Sequence, residues 1–218
     1  FTVNAAPTIT SASPSSRGQN AASQNITVTG TGFATGATAS FSGTGITVNS
    51  TTFVSSTQLT VNITVASNAT TGARNVTVTN SDAGSVTLTS GFTVNAGPTV
   101  SSLSPSSRGQ GATNQTITVT GTNFVTGAAV TFSGGGITVN STTFVSSTQL
   151  TVNITVAGNA PNGARNVTVT NPDTGTVTLA SGFSVQSSPT VSSASPSSRG
   201  RNAANQNISI AGTNLDRK

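Results

Sequence analysis

The chain contains no cysteine, histidine, methionine, tryptophan, tyrosine or glutamate, and its acids are Asp82, Asp173 and Asp216 alone. These absences remove the imidazole base, the thiolate and the phenol, and general acid–base chemistry needs a side chain tuned near the working pH. One isolated aspartate per repeat is a poor substitute, so no catalytic residue is expected. Metal ligation fails on the same count, because structural and catalytic sites draw on clusters of His, Cys or carboxylate. No metal site and no cofactor are expected. Charged residues make up 5% of the chain, against about 25% in an average soluble domain. The net charge of +5 therefore reflects scarce acids more than abundant bases. Seven arginines and Lys218 are spread along the chain, and Arg199 with Arg201 is the densest pair. Nucleic-acid binders gather such residues on one face, so the arginines read as solubilising groups on a nearly neutral surface and no nucleic-acid partner is expected. No apolar run reaches the roughly 18 residues that a membrane-spanning helix needs. The lack of cysteine fits a reducing compartment and an unstapled extracellular β-protein equally.

What is present is repetition. Pro14-Ser15-Ser16-Arg17-Gly18 returns as Pro105–Gly109 and again as Pro196–Gly200, a period of 91 residues. Phe1-Thr2-Val3-Asn4 corresponds to Phe92–Asn95 and to Phe183–Gln186, and Ile46–Ala66 recurs letter for letter as Ile137–Ala157. A fixed period of this length marks an array of like domains. The expected division is 1–6 as the tail of a preceding repeat, 7–97 and 98–188 as two full repeats, and 189–218 as the first two strands of a third.

Within a repeat, apolar residues alternate with Thr, Ser and Asn at period two, the pattern of strands with one buried face. Ile26–Thr29, Ala37–Phe41, Leu59–Val65, Asn75–Thr79, Ser85–Leu88 and Gly91–Val94 read as strands. Asn80-Ser81-Asp82-Ala83-Gly84 reads as a hairpin turn. No helical period persists. About seven short strands in roughly 90 residues predict an all-β fold of tandem immunoglobulin-like β-sandwiches. Phe33, Phe41, Phe53 and Phe92, with Phe124, Phe132, Phe144 and Phe183 in the second repeat, are the expected aromatic core.

The succession Pro-Thr-(Ile/Val), Ser-Pro-Ser-Ser, Ile-Thr-Val-Thr-Gly-Thr-x-Phe, Gln-Leu-Thr-Val, Gly-Ala-Arg-Asn-Val-Thr-Val-Thr-Asn, Asp-x-Gly and Ser-Gly-Phe resembles the IPT/TIG domain. The resemblance covers both full repeats and the start of the third. It implies an early-set immunoglobulin-like sandwich, and tandem arrays of such domains in microbes imply extracellular, cell-surface or filamentous roles. The family includes DNA-binding members, but no residues here match a DNA-contact loop.

The repeats are joined by Asn95-Ala96-Gly97 before Pro98 and by Gln186-Ser187-Ser188 before Pro189. Proline restricts its own φ and the residue before it, which predicts a fairly stiff rod. At the ends, Phe1, Thr2, Val3 and Asn4 are the tail of one strand, and Ile208, Ile210 and Leu215 belong to a unit whose first strands alone cannot bury a core. Two readings stand: a piece of a longer array, or end segments that pair between chains by strand addition. Uncharged strand edges lack the usual protection and favour lateral association. Ten Asn-x-Ser/Thr tripeptides make Asn25, Asn49, Asn62, Asn68, Asn75, Asn114, Asn140, Asn153, Asn166 and Asn207 candidate N-glycosylation sites.

The leading expectation is a non-enzymatic structural protein, a subunit or segment of an extracellular filament, surface layer or adhesin stalk of bacterial or archaeal origin. Its expected partner is itself, head to tail or laterally. The alternative is a carbohydrate-binding or adhesion module with glycan partners, which the lack of Trp and Tyr disfavours. Ice binding by Thr-x-Thr rows such as Thr27 and Thr29 is a remote variant.

Overall fold

The computed structural model describes residues 4–215. The expected assembly residues Phe1, Thr2 and Val3 lie outside this range. The first repeat contributes β1 (Thr8–Ser13), β2 (Ser16–Gly18), β3 (Gln24–Thr31), β4 (Thr38–Phe41), β5 (Ile46–Ser55), β6 (Gln58–Val65), β7 (Gly72–Thr79) and β8 (Ser85–Asn95). The second repeats this order as β9 (Thr99–Ser104), β10 (Ser107–Gly109), β11 (Gln115–Thr122), β12 (Ala129–Phe132), β13 (Ile137–Ser146), β14 (Gln149–Val156), β15 (Gly163–Thr170) and β16 (Thr176–Gln186). After it come β17 (Thr190–Ser195) and β18 (Ser209–Thr213), an antiparallel pair.

Each full repeat is a sandwich of two four-stranded sheets, in the order β1-β3-β6-β5 against β2-β8-β7-β4 in the first repeat, with the same arrangement in the second. The opening segment serves both sheets. β1 pairs antiparallel with β3, the chain turns at the cis Ser13–Pro14 bond, and β2 pairs parallel with the end of β8. The tandem immunoglobulin-like fold read from the sequence is the fold observed.

Alternation in the sequence becomes alternation in burial. Along β6, Leu59, Val61, Ile63 and Val65 are buried while Gln58, Thr60, Asn62 and Thr64 are half-exposed. Ile26 and Val28 of β3, Val76 and Val78 of β7, and Phe92 and Val94 of β8 complete the first core. The second core is built from the residues one period on. Removing one such side chain from water contributes about 1.5–3 kcal/mol, so these rows dominate the stability of each repeat.

Of the expected aromatic core, Phe33, Phe92, Phe124 and Phe183 are buried. Phe41 and Phe132 are half-buried and meet Phe92 and Phe183 edge to face, with centroids 5.1 Å apart in both repeats. Phe144 packs half-buried against the second core. Phe53 departs from expectation: it is 36% exposed and stands outside the core. It lies on β5, the outer strand of its sheet, beside a bulge between Phe53 and Ser55 that recurs between Phe144 and Ser146.

The arginines also require correction. Arg17, Arg74 and Arg165 are buried rather than solubilising. Arg74 occupies an inward position of β7, two residues before Val76, and its guanidinium runs beneath Gly43 to donate to the Thr70 carbonyl. A Cβ on Gly43 would stand 2.5 Å from that guanidinium, and its φ of 79° is a second reason for glycine. Arg165, Gly134 and Pro161 repeat the arrangement.

Candidate functional site: the joint between repeats

Asx chemistry builds the turn between β15 and β16. The Asn171 amide donates to the Gly175 carbonyl at 2.9 Å, the Thr174 amide to the Asn171 carbonyl at 2.9 Å, and the Gly175 amide to Asp173 Oδ1 at 3.1 Å. Thr174 has a φ of 66°. This hairpin does not project into solvent, because it rests on the end of the first repeat.

There the Gly18 amide donates to the Asp173 carbonyl at 3.0 Å, and Asn95 Nδ2 donates to Asp173 Oδ2 at 2.8 Å. The Thr176 amide reaches the Gln19 carbonyl at 3.3 Å, and Asn20 Nδ2 reaches the Thr176 carbonyl at 3.1 Å. Gly18 and Gly175 stand back to back. A Cβ on Gly18 would lie 2.5 Å from the Gly175 Cα, and one on Gly175 would lie 2.9 Å from the Gly18 Cα. Backbones approach this closely only where both residues lack a side chain.

The linker is tied to the same arch. Gln19 Nε2 donates to the Ala69 carbonyl at 2.7 Å, while its Oε1 accepts from the Gly97 amide at 3.1 Å. Asn123 Nδ2 of the second repeat donates to the Gly97 carbonyl at 3.0 Å, and Asn171 Nδ2 to the Asn123 carbonyl at 2.8 Å. Burial under the hairpin pulls the Arg17 pKa down, and the Asp173 carboxylate opposes that shift. A cleft of about 200 Å³ between Gln19, Asn20, Pro98 and Thr176 is the space left at the joint. The stiffness expected from Pro98 thus has a larger physical source in a hairpin held by hydrogen bonds from both repeats.

The arrangement begins to recur one period earlier. Asn4 Nδ2 donates to Asp82 Oδ2 at 2.8 Å, as Asn95 does to Asp173, and the Gly84 amide donates to Asp82 Oδ1 at 3.0 Å. The Asn4 hydrogen bond, and then that of Gly84, hold the fully exposed Asp82 carboxyl below the usual carboxylate range.

The candidate glycosylation residues lie mostly on the polar sheet faces. Asn49 Nδ2 donates to Asn62 Oδ1 at 2.7 Å and to Thr64 at 2.9 Å, and Asn62 Nδ2 donates to Asn25 Oδ1 at 2.7 Å. Asn140 makes the matching bonds to Asn153 at 2.7 Å and Thr155 at 3.0 Å, with Asn114 at 3.5 Å. Asn75 and Asn166 accept from the Ser90 and Ser181 amides at 3.0 Å. Asn68 and Asn207 are exposed. The structure joins the first two groups into amide rows and leaves the last two outside them. Of the remaining assembly residues, Ile208, Ile210 and Leu215 are exposed and far along the chain from Asn4.

Among the described residues no three His, Cys, Asp or Glu side chains gather as a metal site, and no helix is long and apolar enough to cross a membrane. Nothing among them indicates catalysis. What the joint can do chemically is hold two domains at one angle.

Paired sheets, a first segment divided between them and a second copy docked on the end of the first define tandem immunoglobulin-like domains. The chain belongs to the IPT/TIG domain family, whose profile matches residues 7–94 and again 98–185. No curated protein matches it as a relative. Among solved structures, the plexin A4 extracellular region aligns with 86% of this chain and 16% of that one, at 16% identity and a TM-score of 0.48. InvD of Yersinia pseudotuberculosis aligns with 84% of this chain and 58% of that one, at 17% identity and a TM-score of 0.32. A surface glycan-binding protein from a xyloglucan utilization locus of Bacteroides uniformis aligns with 82% of this chain and 49% of that one, at 17% identity and a TM-score of 0.32. Likeness at this distance says nothing about activity.

Proposed function

We propose that this chain is a non-enzymatic structural segment of an extracellular or cell-surface array, such as a filament, surface layer or adhesin stalk, in which TIG repeats act as spacers of fixed length. The observation that carries this reading is the docked hairpin at the joint. A loose string of domains has no need of two glycines in backbone contact, an aspartate shared between repeats and a glutamine that ties the linker to both. Motion between domains is the default where their interface is neither large nor hydrophobic. What opposes it here is the backbone contact of Gly18 with Gly175 and the hydrogen bonds given by both repeats. The near-absence of charge and of acid–base groups supports a structural role over chemistry.

Small-angle scattering of the two-repeat chain tests the reading. A fixed joint gives one narrow distribution of interatomic distances that matches the docked arrangement and does not change with temperature below unfolding. A broad distribution, as from freely hinged domains, would remove the basis for a spacer. Gly18→Leu should convert the first result into the second.

A further inference from the structure

Among the asparagines in Asn-x-Ser/Thr tripeptides, we infer that Asn68 is the one that carries an N-linked sugar chain, transferred from a lipid pyrophosphate. The inference rests on the extracellular placement in the array reading.

Asn68 stands in the turn between β6 and β7, and acceptor asparagines belong to surface loops. In Asn68-Ala69-Thr70 the middle residue is inward and its neighbours are outward. Ala69 is buried in the first core, while Asn68 and Thr70 are exposed with the second repeat in place. The turn is held at three points. The Ala69 amide donates to the Ala66 carbonyl at 3.1 Å, the Ala69 carbonyl accepts from Gln19 Nε2 at 2.7 Å, and the Thr70 carbonyl accepts from the buried Arg74 guanidinium. A transferase that meets the folded chain therefore finds amide and hydroxyl together in solvent.

The fold puts the other candidates to use. Asn49, Asn62 and Asn140 spend Nδ2, the atom that would bear the sugar, on neighbouring amides and threonines across the sheet. Asn25, Asn114 and Asn153 accept in the same rows. Asn75 and Asn166 hold the Ser90 and Ser181 amides, where the chain passes through φ values of 52° and 53°. Asn207 falls two periods after Asn25, at a row position. A sugar on any of these would stand within a row or against a kink, and Asn68 has neither duty.

The second repeat supplies the comparison. Its turn is built alike, with the Ala160 amide 3.1 Å from the Ala157 carbonyl, the Ala160 carbonyl accepting from Gln110 Nε2 at 2.7 Å, and the Pro161 carbonyl accepting from Arg165. Asn159 is exposed, as Asn68 is. Its tripeptide, however, is Asn159-Ala160-Pro161, with proline where the hydroxyl would be. Two turns of one geometry thus differ in the group that transfer requires, and the sugar falls on one repeat of the two. In the transfer, a bond forms between Asn68 Nδ2 and the anomeric carbon of the sugar as the anomeric C–O bond to pyrophosphate breaks. The lipid pyrophosphate leaves, and the amide proton passes to a base of the transferase. The turn flanks the joint, since Ser67 borders the cleft there with Gln19 and Thr176. A hydrated chain at that place supplies solubility that a surface with so little charge lacks.

Fragmentation mass spectrometry of the protein purified from its source should find a sugar chain on Asn68, with Asn49, Asn62, Asn140 and Asn159 bare. A bare Asn68, or sugar on an asparagine of the rows, overturns the inference. The folded 218-residue chain is then given to membranes of the same source with a lipid-pyrophosphate oligosaccharide. Asn68→Gln and Thr70→Ala should each abolish the added mass without shifting the thermal melt, and Thr70→Ser should keep it. Pro161→Thr supplies the missing hydroxyl and should add a second chain, on Asn159. An unchanged mass there overturns the account of the two turns. A short Asn-Ala-Thr peptide is the control acceptor, and no transfer to it means that the source lacks the transferase, which overturns the inference as well. The array reading is judged apart from this. A narrow scattering profile with a bare Asn68 leaves that reading standing, and a hinged profile removes it whatever Asn68 carries.

Discussion

The two repeats carry the same Arg-Gly-Gln segment, Arg17–Gln19 and Arg108–Gln110, yet the two segments are in different states. At the first, Arg17 and Gly18 are buried beneath a hairpin; at the second, Arg108 and Gly109 are half-exposed. The arginine adapts to the difference. Arg17 gives its guanidinium to the Ser16 and Asn25 carbonyls with Asp173 near by, whereas Arg108 turns its Nε to Gln115 Oε1 at 2.8 Å. The prolines differ too, for Pro98 is buried and Pro189 exposed. Similar sequence therefore does not make a joint. The hairpin of the second repeat makes the one between Gly18 and Gly175, and at Arg108 and Gln110 the same polar groups are satisfied locally.

Paired substitutions can break this comparison. The largest effect is expected from Gly18→Ala against Gly109→Ala. The first forces a methyl into the Gly175 backbone, which should cost about 1–3 kcal/mol and free the joint. The second adds a methyl to open space and should stay within about 0.5 kcal/mol. Thermal melts with scattering on each variant would read both quantities, and equal effects would show that the two ends are alike. Asp173→Ala against Asp82→Ala is the next step. Asp173 joins two repeats in a half-buried setting, and its loss orphans Asn95 Nδ2 and the Gly175 amide, at about 1–2 kcal/mol. Asp82 is exposed, and its removal should be nearly silent in a denaturant melt. The smallest effect is a titration. A folded-state pKa held down by Asn4 and Gly84 favours the carboxylate, so its contribution is complete above the ordinary value of about 3.9 and is lost as pH falls through the lower folded value. Carbon-detected NMR of Asp82 should place its midpoint below that ordinary value, and Asn4→Ala should move it back up.

Much of this molecule could be read from its sequence because period-two alternation survives wherever a strand is regular. β6 and β7 show this, and with them the sandwich class and most of the phenylalanine core. β5 carries no clear strand pattern in the sequence because two bulges, between Val48 and Ser50 and between Phe53 and Ser55, shift its alternation twice in ten residues. Phe53 reads as core because a phenylalanine returns one period on at Phe144, yet it is 36% exposed on the outer strand of its sheet. Ser85–Leu88 and Gly91–Val94 read as separate strands, yet they form one, β8, because Ser90 with a φ of 52° and the register shift opposite Arg74 and Val76 kink it without ending it. The buried arginines were hidden by residue type, since nothing local distinguishes an inward Arg74 from an exposed one until Gly43 is placed over it. The joint was legible only in pieces. Asn80–Gly84 and its counterpart read as turns, but their docking partner is 78 residues or more away in the chain.

The amide rows on the outer sheet faces have one more consequence. Asn49, Asn62 and Asn25 grip one another through neutral dipoles, as do Asn140 and Asn153. Dissolved ions screen exposed charges that lie more than about a Debye length apart, and protons neutralise carboxylates, but neither acts on an asparagine pair. Cohesion across these faces should hold equally in fresh water, brine and mild acid.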